Sequence, residues 1–430
     1  MRVNQAFRLE LAPNVAQRIA LAQSVGAARF ASHGGLARCR EALEQGRRVP
    51  SAQELHKAWN RWKRENAPWW VEVSQCAPQE AFRDLERAFR NWRAGRAGRP
   101  RFKRKKSLDD HKARLTGSIW VSSRHVLLPR IGRIRTQERT EKLLSPLQAG
   151  KARILSATIA READRWFVRL PGEVERPDPV PREGEPVGVD LGLSAFLVLS
   201  DGTRMEAPKP LAKALRGLRR LSRQLSRQPK GSRHHAQASL RLARWHRRIR
   251  NLRRGCLPPV PTGRAKPQPV RGVEALNGRG MVPGRLSRSI ADAGWGMFLR
   301  LLAYRAQWDG ATLIVAPPDF PSTRRGSRCG GVGPKAPRSV RVFRGGRCGR
   351  EIDRDLNAAW NLRHYGLAAR KGPTGSSPGT WGTPRDPLDR AGCPLACGDP
   401  SGGGTGLWVR STSHGLMKQE GAGHRWNPSG

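Results

Sequence analysis

The spacing of hydrophobic residues changes several times along the chain, and each change predicts a different kind of element. Residues 7–11 alternate apolar and polar side chains, which is typical of a strand. From residue 15 to 89 the apolar positions recur at helical spacing and include several tryptophans. We interpret these tryptophans as packing between helices, with base stacking as the alternative for one or two of them. Residues 119–170 return to strand-like alternation, which predicts a small unit with β-barrel character.

The Pro-rich linker 177–186 predicts a domain boundary. After it, residues 187–205 predict two apolar strands, and residues 211–252 predict a strongly basic pair of helices. The pattern then predicts strands at 270–276 and 311–316 and helices at about 287–308 and 355–363. Beyond Gly366 the chain is rich in Gly, Ser, Pro and Thr and has no periodicity, so we expect disorder there.

Charge adds a strong indication about partners. The 430 residues include 81 Lys and Arg against 34 Asp and Glu, a formal net charge of +47. Such self-repulsion is unusual for a metabolic enzyme and is relieved by a long nucleic acid, whose phosphates bind Lys and Arg. Our candidates for these contacts lie in a basic run and in the helical pair: Arg99, Arg101, Lys103, Arg104, Lys105, Lys106, Arg219, Arg220, Arg247 and Arg248.

Composition also excludes several classes of protein. No run of 18 or more apolar residues exists, so we expect no membrane partner. The first 20 residues lack the apolar core of a signal peptide, so secretion is disfavoured. Seven cysteines, an odd number spread along the chain, do not form a disulfide framework. We therefore expect a cytoplasmic protein associated with the nucleoid.

Acidic residues are conspicuous in so basic a chain. Asp190 and Glu274 lie within apolar strands, and Asp353 and Asp355 stand at the start of a predicted helix. A buried carboxylate costs several kcal/mol unless it is paired, caps a turn or helix, or binds a metal. Each acid alone has such an ordinary explanation. Together, two strand acids and one helix acid are typical of an RNase H-like nuclease that holds two Mg²⁺ or Mn²⁺ ions.

Longer motifs carry a family resemblance. The segments VGVDLG, LARWHRRIRNLRR, GVEALNGRGM, LSRSIADAGWGMFLRLLAYRAQWDG, PPDFPSTR and DRDLNAAWNL follow one another in this order. Together they resemble the TnpB (OrfB) family encoded by insertion sequences, and the resemblance covers roughly residues 1–365. It implies an RNA-guided DNA endonuclease related to type V CRISPR effectors. Its partners would be a guide RNA from the end of the element and target double-stranded DNA. A tyrosine transposase would be a genetic companion and not part of a predicted complex.

The resemblance also implies an architecture and a catalytic triad. The fold would be mixed α/β, with a β-barrel wedge domain (1–14 and 107–175) and an inserted helical recognition domain (15–106). An RNase H-like RuvC nuclease domain (186–320 and 350–366) would carry a degenerate zinc-ribbon insertion (321–349) and precede a disordered tail (367–430). The three RuvC acids fall on Asp190, Glu274 and Asp355, with Asp353 as the alternative for the third.

The zinc ribbon departs from the family pattern. The family has two CxxC pairs here, but this chain keeps only Cys329 and Cys348 and has Gly326 and Gly345 at the other two positions. Two thiolates cannot close a tetrahedral structural zinc site. The alternative is completion by Cys393 and Cys397 from the tail.

Two further departures affect predicted helices. Residues 255–268 contain several prolines where the family has a continuous helix, and Gly34 and Gly35 replace an aromatic cluster. These changes suggest a decayed or weakly active copy. The leading hypothesis is thus a guided nuclease, and the alternative is guided DNA binding without cleavage. A ribosomal kind of RNA-binding protein would explain the charge but not the carboxylates, and no motif resembles a transposase that joins DNA ends.

Overall fold

The computed structural model describes residues 1–102, 112–180, 184–256, 270–276, 286–337 and 339–371. Within these ranges the chain divides after Pro177 into two compact units. None of the helices described there is long and apolar enough to cross a membrane. Three predicted features lie wholly or mostly outside these ranges: Lys103, Arg104, Lys105 and Lys106, the Pro-rich segment after Cys256, and the tail after Lys371.

The first unit combines a β-sheet with helices. Its strands are β1 (Arg2–Ala12), β2 (Lys112–Leu115), β3 (Trp120–Ser122), β4 (His125–Leu128), β5 (Gly132–Thr136), β6 (Ala152–Ile154), β7 (Ala157–Glu162) and β8 (Arg165–Glu175). Its α-helices are α1 (Val15–Glu44), α2 (Ala52–Asn66), α3 (Cys76–Arg93) and α4 (Glu141–Gln148).

The sheet of this unit is open. Its strand order is β2-β7-β8-β1-β5-β4-β3, and β6 also pairs with β8. The long central pair β1 and β8 runs antiparallel from Arg2 opposite Glu175 to Leu11 opposite Trp166. The outermost strands β2 and β3 have only four and three residues and do not pair with each other in the described chain. The expectation of a closed β-barrel was therefore wrong, because the edge strands do not meet.

The helices of the first unit form well-packed elements. Asn14 and Ser51 cap α1 and α2, and each accepts a hydrogen bond from the third residue of its helix. Helix α1 is continuous through Gly35, where glycine was expected to weaken it. A Cβ atom at Gly35 would lie 3.1 Å from the side chains of Phe82 and Leu85, so the glycine lets α3 approach closely.

The tryptophans of this region serve mainly as packing residues. Trp59 is buried, and its ring lies 6.0 Å from that of Phe30. Trp62 and Trp69 contact the same phenylalanine at 5.7 and 5.6 Å between ring centroids. These contacts confirm the interpretation of these residues as contacts between helices.

The second unit contains the strands that carry two of the conspicuous acids. Its strands are β9 (Val187–Leu191), β10 (Ala195–Leu199), β11 (Arg204–Glu206), β12 (Val270–Glu274), β13 (Thr312–Ala316), β14 (Val342–Arg344) and β15 (Glu351–Asp353). Its helices are α5 (Pro210–Ser226), α6 (Arg233–Cys256), α7 (Ser287–Ala293), α8 (Trp295–Trp308) and α9 (Arg354–Lys371).

A five-stranded sheet of order β11-β10-β9-β12-β13 forms the centre of this unit. Strand β12 runs parallel to both β9 and β13, whereas β10 is antiparallel to β9. One face packs on α8, where Phe298 meets Phe196 at 5.2 Å between ring centroids. The helix expected at 287–308 is divided by Gly294, which has the left-handed φ of 70°.

A buried carboxylate joins the basic helical pair to the rest of the unit. Asp292 in α7 accepts hydrogen bonds from the backbone N–H groups of Leu211 and Ala212 at 2.9 to 3.0 Å. Its Oδ1 also accepts a bond of 3.0 Å from Arg253 of α6. Because free N–H groups and the helix dipole favour negative charge at a helix start, Asp292 stabilises the beginning of α5.

Helix α9 covers the other face of the central sheet at unusually short range. A Cβ atom at Gly188 would lie 1.8 Å from the carbonyl oxygen of Ala359, and one at Gly272 would lie 2.1 Å from that of Leu362. Both glycines are therefore required for this contact. The helix runs beyond Gly366, where disorder was expected, and a Cβ atom at Gly366 would lie 3.5 Å from the Cα of Gly272.

We predict that Gly272→Ala destabilises the chain by about 3 kcal/mol, because neither the helix backbone nor the strand can move cheaply. The matched control is Gly296→Ala in α8, where an added Cβ meets nothing within 4 Å. Chemical denaturation of both variants measures the two free energies of unfolding. Equal stabilities would contradict the close contact between helix and strand.

Candidate acidic site and cysteine turns

Asp190 and Glu274 occupy equivalent positions on neighbouring parallel strands. The register pairs Gly188 with Gly272 and Val189 with Val273, so the two acids stand at the next position of each strand. Residues two apart in a strand point to the same face. Each acid therefore shares its face with the glycine that admits α9. The same helix approach that needs Gly188 and Gly272 brings the start of α9 near Asp190.

The remaining two acids lie where strand β15 passes into α9. Oδ1 of Asp353 accepts hydrogen bonds of 3.0 Å from the backbone N–H groups of Asp355 and Leu356. Asp353 thus caps the helix, which was its ordinary explanation in the sequence. Asp355 stands in the first helical turn, and its side chain is 14% exposed. Because Asp353 already binds these backbone N–H groups, it is less suitable than Asp355 as the third acid of the site.

The charges of three acids act on the carboxyl of Asp190. Burial, followed by the negative charges of Asp355, Glu274 and Asp353, raises the pKa of Asp190 to about 8. Burial also raises the pKa of Glu274, although a hydrogen bond from the Ser322 hydroxyl opposes this shift. The carboxylates therefore form one cluster in which negative charge is incompletely compensated.

Two arginines engage the outer acids of this cluster. Arg204 of β11 donates hydrogen bonds to Asp353 at 3.4 Å and to Asp355 at 3.2 Å. Arg341 donates to the other oxygen of Asp355 at 3.5 Å. In the parts of the chain given above, no three His, Cys, Asp or Glu side chains are arranged to hold one metal ion.

The donor chemistry of the acids nevertheless suits a divalent cation. Carboxylate oxygens are the ligands that Mg²⁺ and Mn²⁺ prefer. The pKa of Asp190 is raised to about 8 by burial and by the neighbouring acids, and the charge of Arg354 opposes this shift only in part. A bound cation would supply the missing positive charge, with Asp190, Glu274 and Asp355 as its predicted ligands.

The two halves of the expected zinc ribbon form two similar turns. In one, the Gly330 N–H bonds to the Gly326 carbonyl at 2.8 Å, and in the other the Gly349 N–H bonds to the Gly345 carbonyl at 2.7 Å. A Cβ atom at Gly326 would lie 2.8 Å from the Cys329 sulfur. At Gly345 the corresponding distance to the Cys348 sulfur is 2.7 Å. The glycines thus occupy the places beside each sulfur where the family has cysteines.

These turns do not fit a structural zinc ion. Cys329 and Cys348 are the thiols they provide, and neither belongs to a group of three metal-ligating side chains in the described residues. Hydrogen bonds from the Gly331 backbone N–H, from Cys348 and from the Arg347 N–H lower the pKa of Cys329. The alternative ligands Cys393 and Cys397 lie outside the described residues.

The predicted nucleic-acid contacts lie on both units. Arg99 and Arg101 are exposed after α3 in the first unit. In the second unit Arg219 and Arg220 are exposed on α5 and Arg248 on α6, while Arg247 is half-buried. Trp245 of α6 packs on α5 where a Cβ at Gly217 would be 2.7 Å away. This contact fixes the two basic helices against each other.

Several residues near the acids were not found from the sequence. Asn361 donates hydrogen bonds to the carbonyls of Ser322 and Arg325 at 2.8 and 2.6 Å, and Asn357 also bonds Arg325 at 2.8 Å. These amides tie the loop that carries Ser322 to α9. Arg204 and Arg341 carry no local signal in so basic a sequence. The two Asn residues lie four apart on an apolar helix face, which is a signal that could have been noticed.

Relatives of known name cover most of this chain. A protein of Escherichia coli strain K12 named "Putative RNA-guided DNA endonuclease InsQ" is 30% identical over 86% of this chain and 94% of its own length. A Mycobacterium tuberculosis protein named "Putative RNA-guided DNA endonuclease" is 34% identical over 84% of this chain and 86% of its own length. This chain belongs to the TnpB (OrfB) family.

Three family descriptions match separate parts of this TnpB-family chain. Residues 169–282 match a family described as "Probable transposase", and residues 295–362 match a "Cas12f1-like, TNB domain". Residues 1–48 match a "Helix-turn-helix domain", although the structure has β1 and the single long helix α1 there. A solved Cas12f1 complex with sgRNA and target DNA is 11% identical, with a TM-score of 0.48 over 84% of this chain and 99% of that one.

The raised pKa of Asp190 predicts that removing its carboxylate stabilises the fold by an amount that depends on pH. In the unfolded chain an aspartate titrates near 4, whereas Asp190 in the fold titrates at about 8. The folded chain therefore holds an extra proton between these values, and its stability falls as pH rises through this window. We expect Asp190→Asn to gain about 1–3 kcal/mol in free energy of unfolding relative to wild type between pH 5 and pH 8.

Denaturation at both pH values, with a chelator to remove divalent cations, measures this difference. Asp201→Asn is the control, because this carboxylate is exposed on the turn after β10. A stability difference for Asp190→Asn that is the same at pH 5 and pH 8 would contradict the raised pKa.

Proposed function

We propose that this TnpB-family chain is an RNA-guided, Mg²⁺- or Mn²⁺-dependent DNA endonuclease of the RuvC type. The observation that supports the proposal is the buried carboxyl of Asp190, whose pKa is raised by burial and by the nearby charges of Asp355 and Glu274. Sequence specificity would come from base pairing of a guide RNA with target DNA, as the names of the relatives suggest.

The acids would divide the work according to their surroundings. Bound Mg²⁺ or Mn²⁺ would supply Lewis-acid activation of the phosphodiester and of an attacking water. Asp190, the most buried acid, must release its proton to act as a ligand, so cation binding would strengthen as pH approaches 8. Glu274 is half-buried and held by Ser322, which suits it to complete the site and orient the water.

The arginines at the site suggest how nucleic acid would prepare it. Arg204 and Arg341 are about half-exposed, at 47% and 51% of the side chain. Phosphates of a bound strand can bind these guanidiniums in a bidentate manner and compete with the carboxylates for them. In the proposal, strand binding draws both arginines from Asp355 and frees this carboxylate for the cation.

The basic surfaces would hold the two nucleic acids. Arg99 and Arg101 on the first unit and Arg219, Arg220 and Arg248 on the second are exposed and suited to phosphate contacts. They would bind the guide RNA scaffold and the RNA–DNA duplex through their backbones. Because both partners belong to the nucleoid, the protein would act there.

A second function, guided DNA binding without cleavage, is favoured by one observation. Asp355 is engaged by two arginines, and no metal-binding group of three is assembled in the described residues. If these ion pairs persist when nucleic acid binds, the chain binds its target and leaves it intact. The two functions differ only in whether Asp355 becomes available.

We predict that the protein, co-expressed with the RNA encoded at its element's end, cuts plasmid DNA at the guide-matched site in Mg²⁺. Asp190→Asn should reduce the cleavage rate at least about 100-fold, which is typical for removal of a catalytic group. It should leave guide-dependent binding in a gel-shift assay unchanged. Asp201→Asn, on an exposed turn, should cut like wild type.

Three results are distinguishable in this experiment. Cutting by wild type and not by Asp190→Asn supports the nuclease. Guide-dependent binding without cutting by either protein supports the binding function. Cutting that persists in Asp190→Asn would overturn the assignment of the site.

A further inference from the structure

The two glycine–cysteine turns, residues 326–330 and 345–349, contact each other directly. A Cβ atom at Gly331 would lie 3.1 Å from the side chain of Arg347 in the other turn. The Cys329 sulfur accepts a hydrogen bond from the Arg347 backbone N–H and shares one with the Cys348 thiol. The two sulfurs are therefore neighbours across the contact.

Each turn has its own support, so this contact does not depend on the sulfurs. The Ser327 N–H donates a bond of 3.0 Å to Asn357, whose amide bonds the Arg325 carbonyl at 2.8 Å. The second turn follows β14, which pairs with β15 through Phe343 opposite Ile352. Since β15 leads into α9, both turns are attached to the same helix.

Both thiols are accessible to small molecules. Cys329 is partly exposed, Cys348 is exposed, and both are free thiols in the structure. Gly326 and Gly345 beside them are buried. Two accessible thiols that lie within hydrogen-bond distance of each other are suited to exchange with a small-molecule disulfide.

We propose that Cys329 and Cys348 form a reversible disulfide that joins the two turns, at the place where the family has zinc. The oxidant is a small-molecule disulfide. The Cys329 thiolate attacks one of its sulfurs and releases one small thiol, which leaves a mixed disulfide on Cys329. The Cys348 thiolate then attacks the Cys329 sulfur and releases the second small thiol. Two protein thiols lose two hydrogens, and one small disulfide gains them.

This bond would act on a segment that reaches the acidic site. The loop that it closes contains Arg341, which donates a hydrogen bond to Asp355. Closing a loop reduces the conformations available to the unfolded chain and to local opening. The oxidised form should therefore hold the 329–348 segment more rigidly than the reduced form. The proposal does not depend on whether the acids cleave DNA.

The test treats the full-length protein with oxidised glutathione, blocks the remaining thiols by alkylation and examines the protease fragments by mass spectrometry. We expect a linked fragment pair that contains Cys329 and Cys348 and is lighter than the two thiol fragments by two hydrogen atoms. Dithiothreitol should separate the pair. Cys348→Ser should leave a glutathione adduct on Cys329 and no linked pair. Cys256→Ser, which removes an exposed cysteine elsewhere, should not affect the link.

Adding zinc before the oxidant tests whether the two cysteines belong to a metal site instead. Zinc added before the oxidant should not protect wild type from forming the link. It should protect the Gly326→Cys/Gly345→Cys variant, which restores four thiols around the two turns. The inference is overturned if wild type yields only separate glutathione adducts or alkylated thiols. Protection of wild type by zinc would also overturn it, because further ligands would then complete a metal site.

Discussion

The close contact of helix α9 with strands β9 and β12 determines where the acids of the second unit lie. Helix α9 lies so near strands β9 and β12 that any side chain at Gly188 or Gly272 would collide with helix carbonyls. Since Asp190 and Glu274 follow these glycines by two residues, they lie on the same face as the helix. Asp355, in the first turn of that helix, is thereby placed near Asp190. The glycines that allow helix α9 to pack on the sheet therefore also determine where the acids lie.

This arrangement has an electrostatic cost that the fold does not relieve by itself. Asp190 is buried among carboxylates, and its pKa of about 8 records the unfavourable energy of its charged form. Arg204 and Arg341 reach only the outer acids, Asp353 and Asp355. Instability of this kind is common at catalytic centres, where a ligand supplies the missing charge. This electrostatic cost is the reason for our proposal that the acids bind cations.

The sequence indicated the acids but not the forces that assemble them. Asp190 and Glu274 were found because a carboxylate within an apolar strand stands out, and Asp355 through its motif. The role of Gly188 and Gly272 depends on a helix more than 80 residues away in the chain. The partners Arg204 and Arg341 were equally invisible, since they are two among 81 basic residues. Long-range contacts of this type leave no local pattern.

Other expectations failed for similar reasons. The open sheet of the first unit differs from the expected barrel because closure depends on whether β2 and β3 meet, which alternation within each strand does not determine. Helix α9 continues past Gly366, a residue that lies near β12, whereas composition alone suggested disorder. The expected loss of zinc binding stays a prediction. The persistence of both turns without the two lost cysteines rests on Asn357, Asn361 and the β14–β15 pair.

Asp190 is buried, and Asp355 lies close enough to raise its pKa. The most direct measurement is a titration of the Asp190 carboxyl carbon by NMR, in protein with labelled aspartate and without divalent cations. Asp190→Asn identifies the signal, and the titration is repeated in Asp355→Asn. We expect a titration midpoint near pH 8 in the wild type and a clearly lower midpoint in Asp355→Asn. A midpoint near 4, unchanged by the Asp355 substitution, would show that the acids do not converge.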